Sequence, residues 1–163
     1  MTSDERIARL EARLEILEDR LAITDLIAAY GPLVDAGDAA ATAGLWTEDG
    51  AYDVDTGVYE GRQGIADMVL SSEHQGLLGR GCGHLTTAPS IALDGDTAVA
   101  VCLSQLVVRR DDGRAFSVAR VTAHRWELVR SADGWRVERR TSRLLDGSPS
   151  ARGLLRLDRG ARA

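Results

Sequence analysis

The chain has 163 residues, 44% of them apolar, and a formal net charge of −5. That length suits a single domain with one core, and the acidic balance argues against nucleic-acid binding, which normally uses a basic face. The sequence contains no lysine among its 20 basic side chains, which excludes catalysis through a lysine Schiff base or a lysine-dependent phosphate loop.

The sequence carries no sign of a membrane or secreted protein. Its apolar runs are far shorter than the roughly 20 residues that cross a bilayer, and its N-terminal residues alternate charges with leucines rather than forming an apolar leader. Cys82 and Cys102 form neither a disulfide framework nor a zinc-binding spacing, which favours reduced core cysteines. We therefore expect a soluble, cytoplasmic protein with no membrane or nucleic-acid partner.

A long helix is predicted at the N-terminus. Thr2 and Glu5 have the spacing of a capping box, and apolar residues then recur as in a heptad seam, at Ile7, Leu10, Leu14, Leu17 and Leu21. The stripe resumes displaced after Thr24, so residues 1–22 are interpreted as a helical extension with its own packing surface. A partner subunit is one candidate for that surface, and the chain's own sheet is the other.

Short elements are predicted after this helix. Gly31-Pro32 is expected to disturb it and Gly37 to end it, with Asp38 capping the next helix. The elements that follow are predicted as a helix over 39–46, a turn over 48–50, a strand over 51–54, a strand bracketed by Gly57 and Gly61, a helix over 62–72 and a glycine-rich loop over 73–83.

The second half of the chain is predicted to be a set of long antiparallel strands. Asp-Gly turn signals separate apolar runs over 84–93, 97–110, 115–130 and 135–144. Helices followed by an antiparallel meander indicate an α+β fold, with a curved sheet wrapped on helices. We expect one domain over 1–146 and a flexible tail over 147–163.

Several chemistries lack support in the sequence. The alternating glycines before His84 precede a strand, whereas a dinucleotide fingerprint opens a helix. No Gly-x-Ser-x-Gly elbow occurs, and the histidines and cysteines lack metal-ligand spacing. Cys82 and His84 would share a strand face, which allows a thiolate nucleophile, but a plain buried thiol is favoured. We therefore predict no metal and no organic cofactor.

Acid–base chemistry is what the remaining polar residues allow. His84 enters a strand at the rim of the predicted sheet, and Tyr30 and Asp35 lie late on the helix that the sheet would cover. A carboxylate beside an imidazole stabilises its protonated form and fixes its tautomer, which gives a competent proton abstractor. The structural alternatives are a helix-ending aspartate, a core histidine and a core tyrosine.

Four segments in this order resemble the SnoaL-like members of the nuclear transport factor 2-like superfamily. They are ITDLIAAYGPLVDAGDAAATAGLWTEDGAYD from Ile23, GRQGIADM from Gly61, GHLTTAPSIALDGDTAVA from Gly83 and DGWRVERR near the end, within about residues 15–144. The resemblance implies a long N-terminal helix and two shorter ones packed in a cone on a strongly curved mixed, mainly antiparallel sheet that encloses an apolar pocket.

The resemblance also implies roles for individual residues. Asp35 and His84 look like the Asp-His pair of the dehydratase and dehydrochlorinase branches of this superfamily. Tyr30 is similar to the hydrogen-bonding tyrosine of bile acid 7α-dehydratase and to the oxyanion-binding tyrosine of ketosteroid isomerase. Val54 occupies the position at which ketosteroid isomerase carries the aspartate that acts as its catalytic base, which argues against steroid isomerase chemistry. Ser104 lies on a strand with no second acidic or imidazole group of the kind that dehydratases often carry.

The substrate pocket is predicted to use six further side chains: Val54, Trp46, Ser104, His124, Trp126 and Arg143. Strand alternation puts His124 on one face with Trp126, and Arg143 on one face with Val137. An arginine that reaches the pocket could anchor an acidic group of the substrate. The alternative for both is a solvated position at a strand edge.

The leading hypothesis is a cofactor-independent enzyme in which His84, oriented by Asp35, removes a proton from a hydrophobic cyclic molecule. Tyr30 would stabilise an oxyanion or assist a leaving hydroxyl. A dehydratase-type lyase, a cyclase or an isomerase would fit, as polyketide cyclases belong to the same superfamily. The alternatives are a non-catalytic binding protein for a hydrophobic metabolite and an assembly role for the heptad seam. The resemblance further implies a homo-oligomer, either a dimer or a trimer.

Overall fold

The computed structural model describes residues 1–157 and begins with one helix, α1, that spans Ser3–Asp35. Its N-terminus carries the predicted capping box, in which the Glu5 amide donates to the Thr2 hydroxyl and the Thr2 amide donates to the Glu5 carboxylate. Residues 1–18 are exposed, and burial begins only in the C-terminal half of the helix, at Ile23 and Ile27. The predicted division of the helix into two surfaces is therefore present.

The expectation that Gly31-Pro32 disturbs α1 is wrong. The helix continues through Pro32 to Asp35, and it ends where Gly37 adopts a positive φ of 70°. Asp38 then caps α2, Ala39–Ala43, by accepting from the Ala41 amide.

The short elements after α2 differ from the sequence prediction in extent. Strand β1 covers Trp46–Val54 and therefore absorbs the predicted turn, while β2 covers Gly57–Glu60 as expected. Helix α3 spans Gly61–Leu70. The predicted loop over 73–83 is instead a helix, α4, at Ser72–Arg80, because the Ser71 hydroxyl caps it by accepting from the His74 amide.

The remaining strands form the predicted antiparallel meander. The first long run divides into β3, Cys82–Thr86, and β4, Ser90–Asp94, because Pro89 interrupts it. Strands β5, β6 and β7 span Thr97–Arg109, Phe116–Ser131 and Gly134–Leu144. A short helix, α5, at Pro149–Leu154 lies within the predicted flexible tail, and its Ala151 is buried. The rest of that tail, from residue 158, lies outside the described residues.

These strands form one mixed sheet in the order β2-β1-β7-β6-β5-β3, with β4 also paired to β5. All pairs are antiparallel except β1 with β7. The sheet and helices enclose a core built around Trp46, Trp126, Ile23, Ile27 and Ile65. The α+β prediction is confirmed by this arrangement.

One irregularity of the sheet decides which side chains face its concave side. In the pairing of β6 with β7, Leu128 faces Val137 but Glu127 faces Arg139, so Glu138 is an extra, unpaired residue. A bulge of this kind reverses the inward and outward alternation of the strand beyond it. Arg140 is therefore buried while Arg139 is exposed.

Candidate active site

Asp35 and His84 meet although 49 residues separate them in sequence. The His84 ring Nδ1 lies 2.6 Å from Asp35 Oδ1, and the His84 backbone N–H donates to Asp35 Oδ2 at 2.7 Å. The two side chains retain exposures of 19% and 21%. One carboxylate thus fixes both the backbone position and the ring orientation of this histidine.

A glycine makes this contact possible. A Cβ built on Gly31 would lie 2.6 Å from the His84 carbonyl oxygen, so only a residue without a side chain lets α1 approach β3 this closely. Asp35 is one helical turn further along α1, and β3 begins at Cys82. The close approach therefore brings the last residue of α1 beside the middle of β3.

The electrostatics of the pair determine the tautomer of His84. Burial acts to raise the pKa of Asp35, but hydrogen bonds and charge interaction with His84 outweigh it and leave the pKa lowered from 3.8. An ionised carboxylate only accepts hydrogen bonds, so His84 carries a hydrogen on Nδ1. In the neutral imidazole, Nε2 then holds a lone pair, and no described residue bonds to it.

His84 lines a cavity of about 330 Å³ between the sheet and the helices. Much of the wall is aromatic or aliphatic, and it is formed by Tyr30, Tyr52, Val54, Tyr59, Met68, Leu77 and Leu106. Polar and charged side chains complete the wall and the rim. This volume lies near the lower end of the range for small-molecule pockets, about 300–1,000 Å³.

Tyr30 lies between the Asp35–His84 pair and the core. It is only 4% exposed, and its ring makes an edge contact with the His84 ring, with centroids 6.3 Å apart. Burial, together with the neighbouring Tyr52, raises the pKa of Tyr30 despite the positive charge of Arg140. Tyr30 therefore keeps its hydroxyl proton and can act as a hydrogen-bond donor.

A second polar cluster lies on the sheet side of the cavity. His124 is 2% exposed, and its Nε2 and Nδ1 lie 2.6 Å from the hydroxyls of Ser104 and Ser142 respectively. Arg140 Nη2 lies 3.2 Å from His124 Nδ1. An arginine can only donate, so this Nδ1 is an acceptor and Nε2–H donates to Ser104.

Arg140 itself is 2% exposed and has no carboxylate partner among the ion pairs of the described residues. Its Cζ lies 3.9, 4.5 and 4.2 Å from the ring centroids of Tyr30, Tyr52 and Trp126. Within residues 1–157, its Nε and Nη1 have no hydrogen-bond partner. Aromatic rings therefore surround this cation, and two of its nitrogen atoms lack a hydrogen-bond acceptor.

The neighbouring cation acts on His124. Burial lowers the pKa of His124 well below 6.5, and the positive charge of Arg140 lowers it further. His124 is therefore neutral at physiological pH. It is a fixed hydrogen-bonding group rather than a proton carrier.

The structure brings together part of the predicted site. Five of the predicted residues line the cavity: His84, Tyr30, Val54, Ser104 and His124. Asp35 does not line it but is hydrogen-bonded to Nδ1 of His84. Two predicted lining residues lie in the core instead. Trp46 donates to the Ala51 carbonyl, and Trp126 donates to Cys102 Sγ; both are 0% exposed.

Arg143 is also misplaced by the sequence prediction. It forms an ion pair of 2.8 Å with Asp53 outside the cavity, because the bulge at Glu138 turns it away. Sequence reasoning missed Arg140 and Ser142, which the same bulge turns inward. The adjacent polar residues Glu138 and Arg139 interrupt the alternation of apolar and polar residues in β7. This interruption is the feature of the sequence that could have indicated the bulge.

The environment of Cys82 disfavours a thiolate nucleophile. Its Sγ lies 3.9 Å from Asp35 Oδ1, and burial followed by the negative charge of Asp35 raises the pKa of the thiol. No group of three His, Cys, Asp or Glu side chains in residues 1–157 is arranged to hold a metal ion.

The fold and this cavity define a class: small α+β domains in which a long helix and a curved mixed sheet enclose a ligand-sized pocket. A family model described as a SnoaL-like domain matches residues 15–141. The chain therefore belongs to the SnoaL-like family. No helix of the described residues is long and apolar enough to span a membrane.

Solved structures agree with this assignment. A nuclear transport factor 2-like protein with a cystatin-like fold from Novosphingobium aromaticivorans is 44% identical, with a TM-score of 0.89 over 92% of this chain and 97% of its own. A Mycobacterium tuberculosis protein of unknown function is 27% identical, with a TM-score of 0.71 over 86% and 78% of the two chains. No curated protein matches the chain.

A third structure is described as that of a candidate aromatic ring hydroxylase from Novosphingobium aromaticivorans. It is 27% identical, with a TM-score of 0.66 over 79% of this chain and 90% of its own. These likenesses confirm the nuclear transport factor 2-like fold that the sequence motifs imply.

Proposed function

We propose that this protein is a cofactor-independent enzyme in which His84 acts as a general base on a hydrophobic cyclic molecule. The observation that supports this most is the double contact of Asp35 with the backbone and the ring of His84 at the wall of a cavity. The proposal covers elimination of the dehydratase type, cyclisation and isomerisation, since each begins with removal of a proton.

The tautomer of His84 suits a general base. Because Asp35 accepts from Nδ1, the lone pair of the neutral imidazole lies on Nε2. When Nε2 takes a proton, the resulting imidazolium is stabilised by the adjacent carboxylate. A base positioned in this way typically contributes about 10²–10⁴ in rate.

Tyr30 supplies the complementary group. Its buried ring makes an edge contact with the ring of the base, and its hydroxyl stays protonated. A hydrogen bond from this hydroxyl to a developing oxyanion would be stronger in this buried setting than in water. Tyr30 thus stabilises negative charge on an oxygen, or donates to a departing hydroxyl, while His84 holds the proton that has been removed.

The proposal can be tested with 5-nitrobenzisoxazole, a small aromatic probe whose ring opens when a base removes a carbon-bound proton and releases a coloured phenolate. We expect saturable turnover by the wild-type protein, and a fall of at least about 100-fold in kcat/KM for His84→Ala. Leu85→Ala is the matched control, since Leu85 is the next residue of β3 and is 59% exposed.

Two results would contradict the proposal. One is a wild-type rate no higher than that of free imidazole at the same concentration. The other is an unchanged rate in His84→Ala while the probe still binds. Either result would favour the non-catalytic binding protein, because the cavity would then hold a ligand without acting on it.

A further inference from the structure

We infer that the cavity binds a molecule with a carboxylate-type anionic group and that Arg140 holds that group. This inference names the substrate class of the site proposed above and rests on that proposal only for turnover. It begins with the unusual position of Arg140, which is 2% exposed and lines the cavity.

Arg140 lacks hydrogen-bond acceptors. Arg140 Nε and Nη1 are buried and have no partner among the described residues, although its Nη2 reaches His124. A buried cation without an anion is strongly destabilising, because no opposite charge replaces the hydration that it has lost. An unpartnered charge in the wall of a cavity is typical of functional sites.

The described residues place no carboxylate against the Arg140 guanidinium. Among the described residues of the wall, Glu73 is the only acidic one, and it is exposed on α4, whereas three arginines line the same cavity. Of these, Arg120 is paired with Asp55 at 2.8 Å. Arg140 therefore provides the deepest positive charge, and no described carboxylate compensates it.

Aromatic rings form the surroundings of the Arg140 guanidinium. The rings of Tyr30, Tyr52 and Trp126 surround Arg140 and stabilise its charge, but they accept no conventional hydrogen bond. A flat ring that carries a carboxylate fits this wall, because its ring contacts the aromatic lining while its oxygens accept from the guanidinium. The cavity of about 330 Å³ limits the ligand to a small molecule.

Binding can be measured without turnover. Titration calorimetry with benzoate and with benzamide compares an anion with a neutral molecule of the same shape, and sodium chloride at equal concentration tests a simple inorganic ion. We expect the wild type to bind benzoate at least tenfold more tightly than benzamide, and more tightly than chloride. Arg140→Met should remove the preference for benzoate, because methionine keeps the packing and loses the charge.

Two controls locate the effect. Arg139→Gln removes the exposed arginine next to Arg140 on β7 and should leave the preference unchanged. His84→Ala should also keep it, so loss of catalysis and loss of anion binding are distinguishable. The inference is overturned by equal or undetectable binding of benzoate and benzamide to the wild type, by an unchanged preference in Arg140→Met, or by chloride binding as tight as benzoate binding.

A separate observation carries a second inference: we propose that residues 3–21 of α1 form a parallel coiled coil with the same segment of another copy of this chain. All five apolar residues of the heptad seam are more than half exposed; they are Ile7, Leu10, Leu14, Leu17 and Leu21. A lone helix of this length is marginally stable in water, so this stripe requires a partner.

The charges beside the seam identify the partner and its direction. With Ile7 at position a of the heptad and Leu10 at position d, the g positions hold Arg6, Arg13 and Arg20, and the e positions hold Asp4, Glu11 and Glu18. Arg20 donates to the Ile91 carbonyl of its own chain, so Arg6 and Arg13 are the g residues left for a partner. In a parallel pair, each g residue faces the e residue of the next heptad of its partner. Arg6 then faces Glu11 and Arg13 faces Glu18, in both directions across the interface.

An antiparallel pair would be unfavourable. It would set g beside g and e beside e, so that arginines would meet arginines and acids would meet acids. The pattern therefore selects another copy of the same helix in the parallel orientation. Residues 1–14 also precede the match to the family model, which begins at residue 15, so this contact is additional to the family domain.

Disulfide cross-linking of the full chain tests the orientation. Ser3→Cys lies at a d position, where two parallel copies meet, and Ala8→Cys lies on the outer face of the same helix as the matched control. We expect covalent dimers from Ser3→Cys at least tenfold faster than from Ala8→Cys. Equal rates, or no dimers from Ser3→Cys, would overturn the proposal.

Charge reversal tests the pairing itself. In the Ser3→Cys background, Arg6→Glu with Arg13→Glu should slow cross-linking at least tenfold, because acids then face acids. Adding Glu11→Arg and Glu18→Arg should restore it by reversing every pair. Cross-linking that is insensitive to the first double substitution would contradict the parallel register.

Discussion

Two histidines face the same cavity with opposite electrostatic partners. His84 lies 2.6 Å from a carboxylate oxygen of Asp35 and keeps 19% of its side chain exposed. His124 lies between two serine hydroxyls, with the guanidinium of Arg140 at 3.2 Å from its Nδ1. An anion therefore faces the first imidazole, whereas burial and a neighbouring cation keep the second one neutral.

This difference separates two functions that one side-chain type can perform. His84 can take up a proton, because the anion beside it stabilises the product of that step. His124 instead fixes Ser104, Ser142 and Arg140 in place without changing its charge. The contrast teaches that the partner of a histidine, rather than its presence in a pocket, decides whether it can act as a base.

The largest expected effect comes from removing the charge of Asp35. In Asp35→Asn the amide can still accept from the His84 backbone, but the imidazole loses its stabilising anion and its fixed tautomer. We expect kcat/KM for 5-nitrobenzisoxazole to fall roughly 100-fold. His124→Gln should have a much smaller effect on the same rate, and equal losses in the two variants would contradict the comparison.

The next effect concerns stability as a function of pH. The unfolded chain protonates His124 below about 6.5, whereas the native chain keeps it neutral, so stability is complete above that pH and falls as pH decreases. Between pH 6.5 and 5 this group alone should lower the free energy of unfolding by up to about 1.5 kcal/mol. Urea denaturation of the wild type and of His124→Gln should show the difference in slope.

Asp35 acts in a separate pH window with the same sign. Its pKa is lowered from 3.8, so its contribution to stability is present above that value and is lost as pH falls below it. A difference between wild type and His124→Gln that appears only below pH 4 would therefore assign the effect to carboxylates and not to His124.

A smaller effect is expected from breaking the contact of Arg140 with His124. In Arg140→Met the imidazole remains buried but loses the repulsion of the guanidinium, so the pKa of His124 should rise while staying below its ordinary value. NMR titration of the ring protons measures it. A pKa that does not move would mean that burial alone keeps His124 neutral.

The smallest effect concerns the Cys82 thiol beside the carboxylate. Burial and the charge of Asp35 raise the pKa of this thiol, so Asp35→Asn should lower it and speed alkylation by iodoacetamide at pH 7.5 about threefold. Peptide mass spectrometry resolves Cys82 from Cys102, which is buried and serves as an internal control. Slower alkylation of Cys82 in the variant would contradict the assignment.

The sequence was sufficient to predict the elements that depend on local signals. The capping box at Thr2, the left-handed Gly37 and the Asp38 cap each follow from short-range chemistry, and the order of elements then defined the α+β fold. The motifs also led to His84 and Asp35, whose contact the structure shows.

What the sequence did not reveal depends on long-range packing. Helix α4 has four glycines or leucines among its nine residues, and its loop-like composition concealed the Ser71 cap. The inward position of Arg140 follows from one extra residue, Glu138, in a strand pairing that alternation alone does not show. Trp46 and Trp126 were expected at the pocket because aromatic residues suit both a wall and a core.

The pocket depends on Gly31, although this residue has no functional group. The hydrogen atom that serves as its side chain leaves room for the His84 carbonyl, which would lie 2.6 Å from any Cβ at this position. Saturation mutagenesis scored by activity should therefore find position 31 as intolerant as positions 35 and 84. Substitutions at position 31 would be lost because of the size of the new side chain and not because of its chemical type.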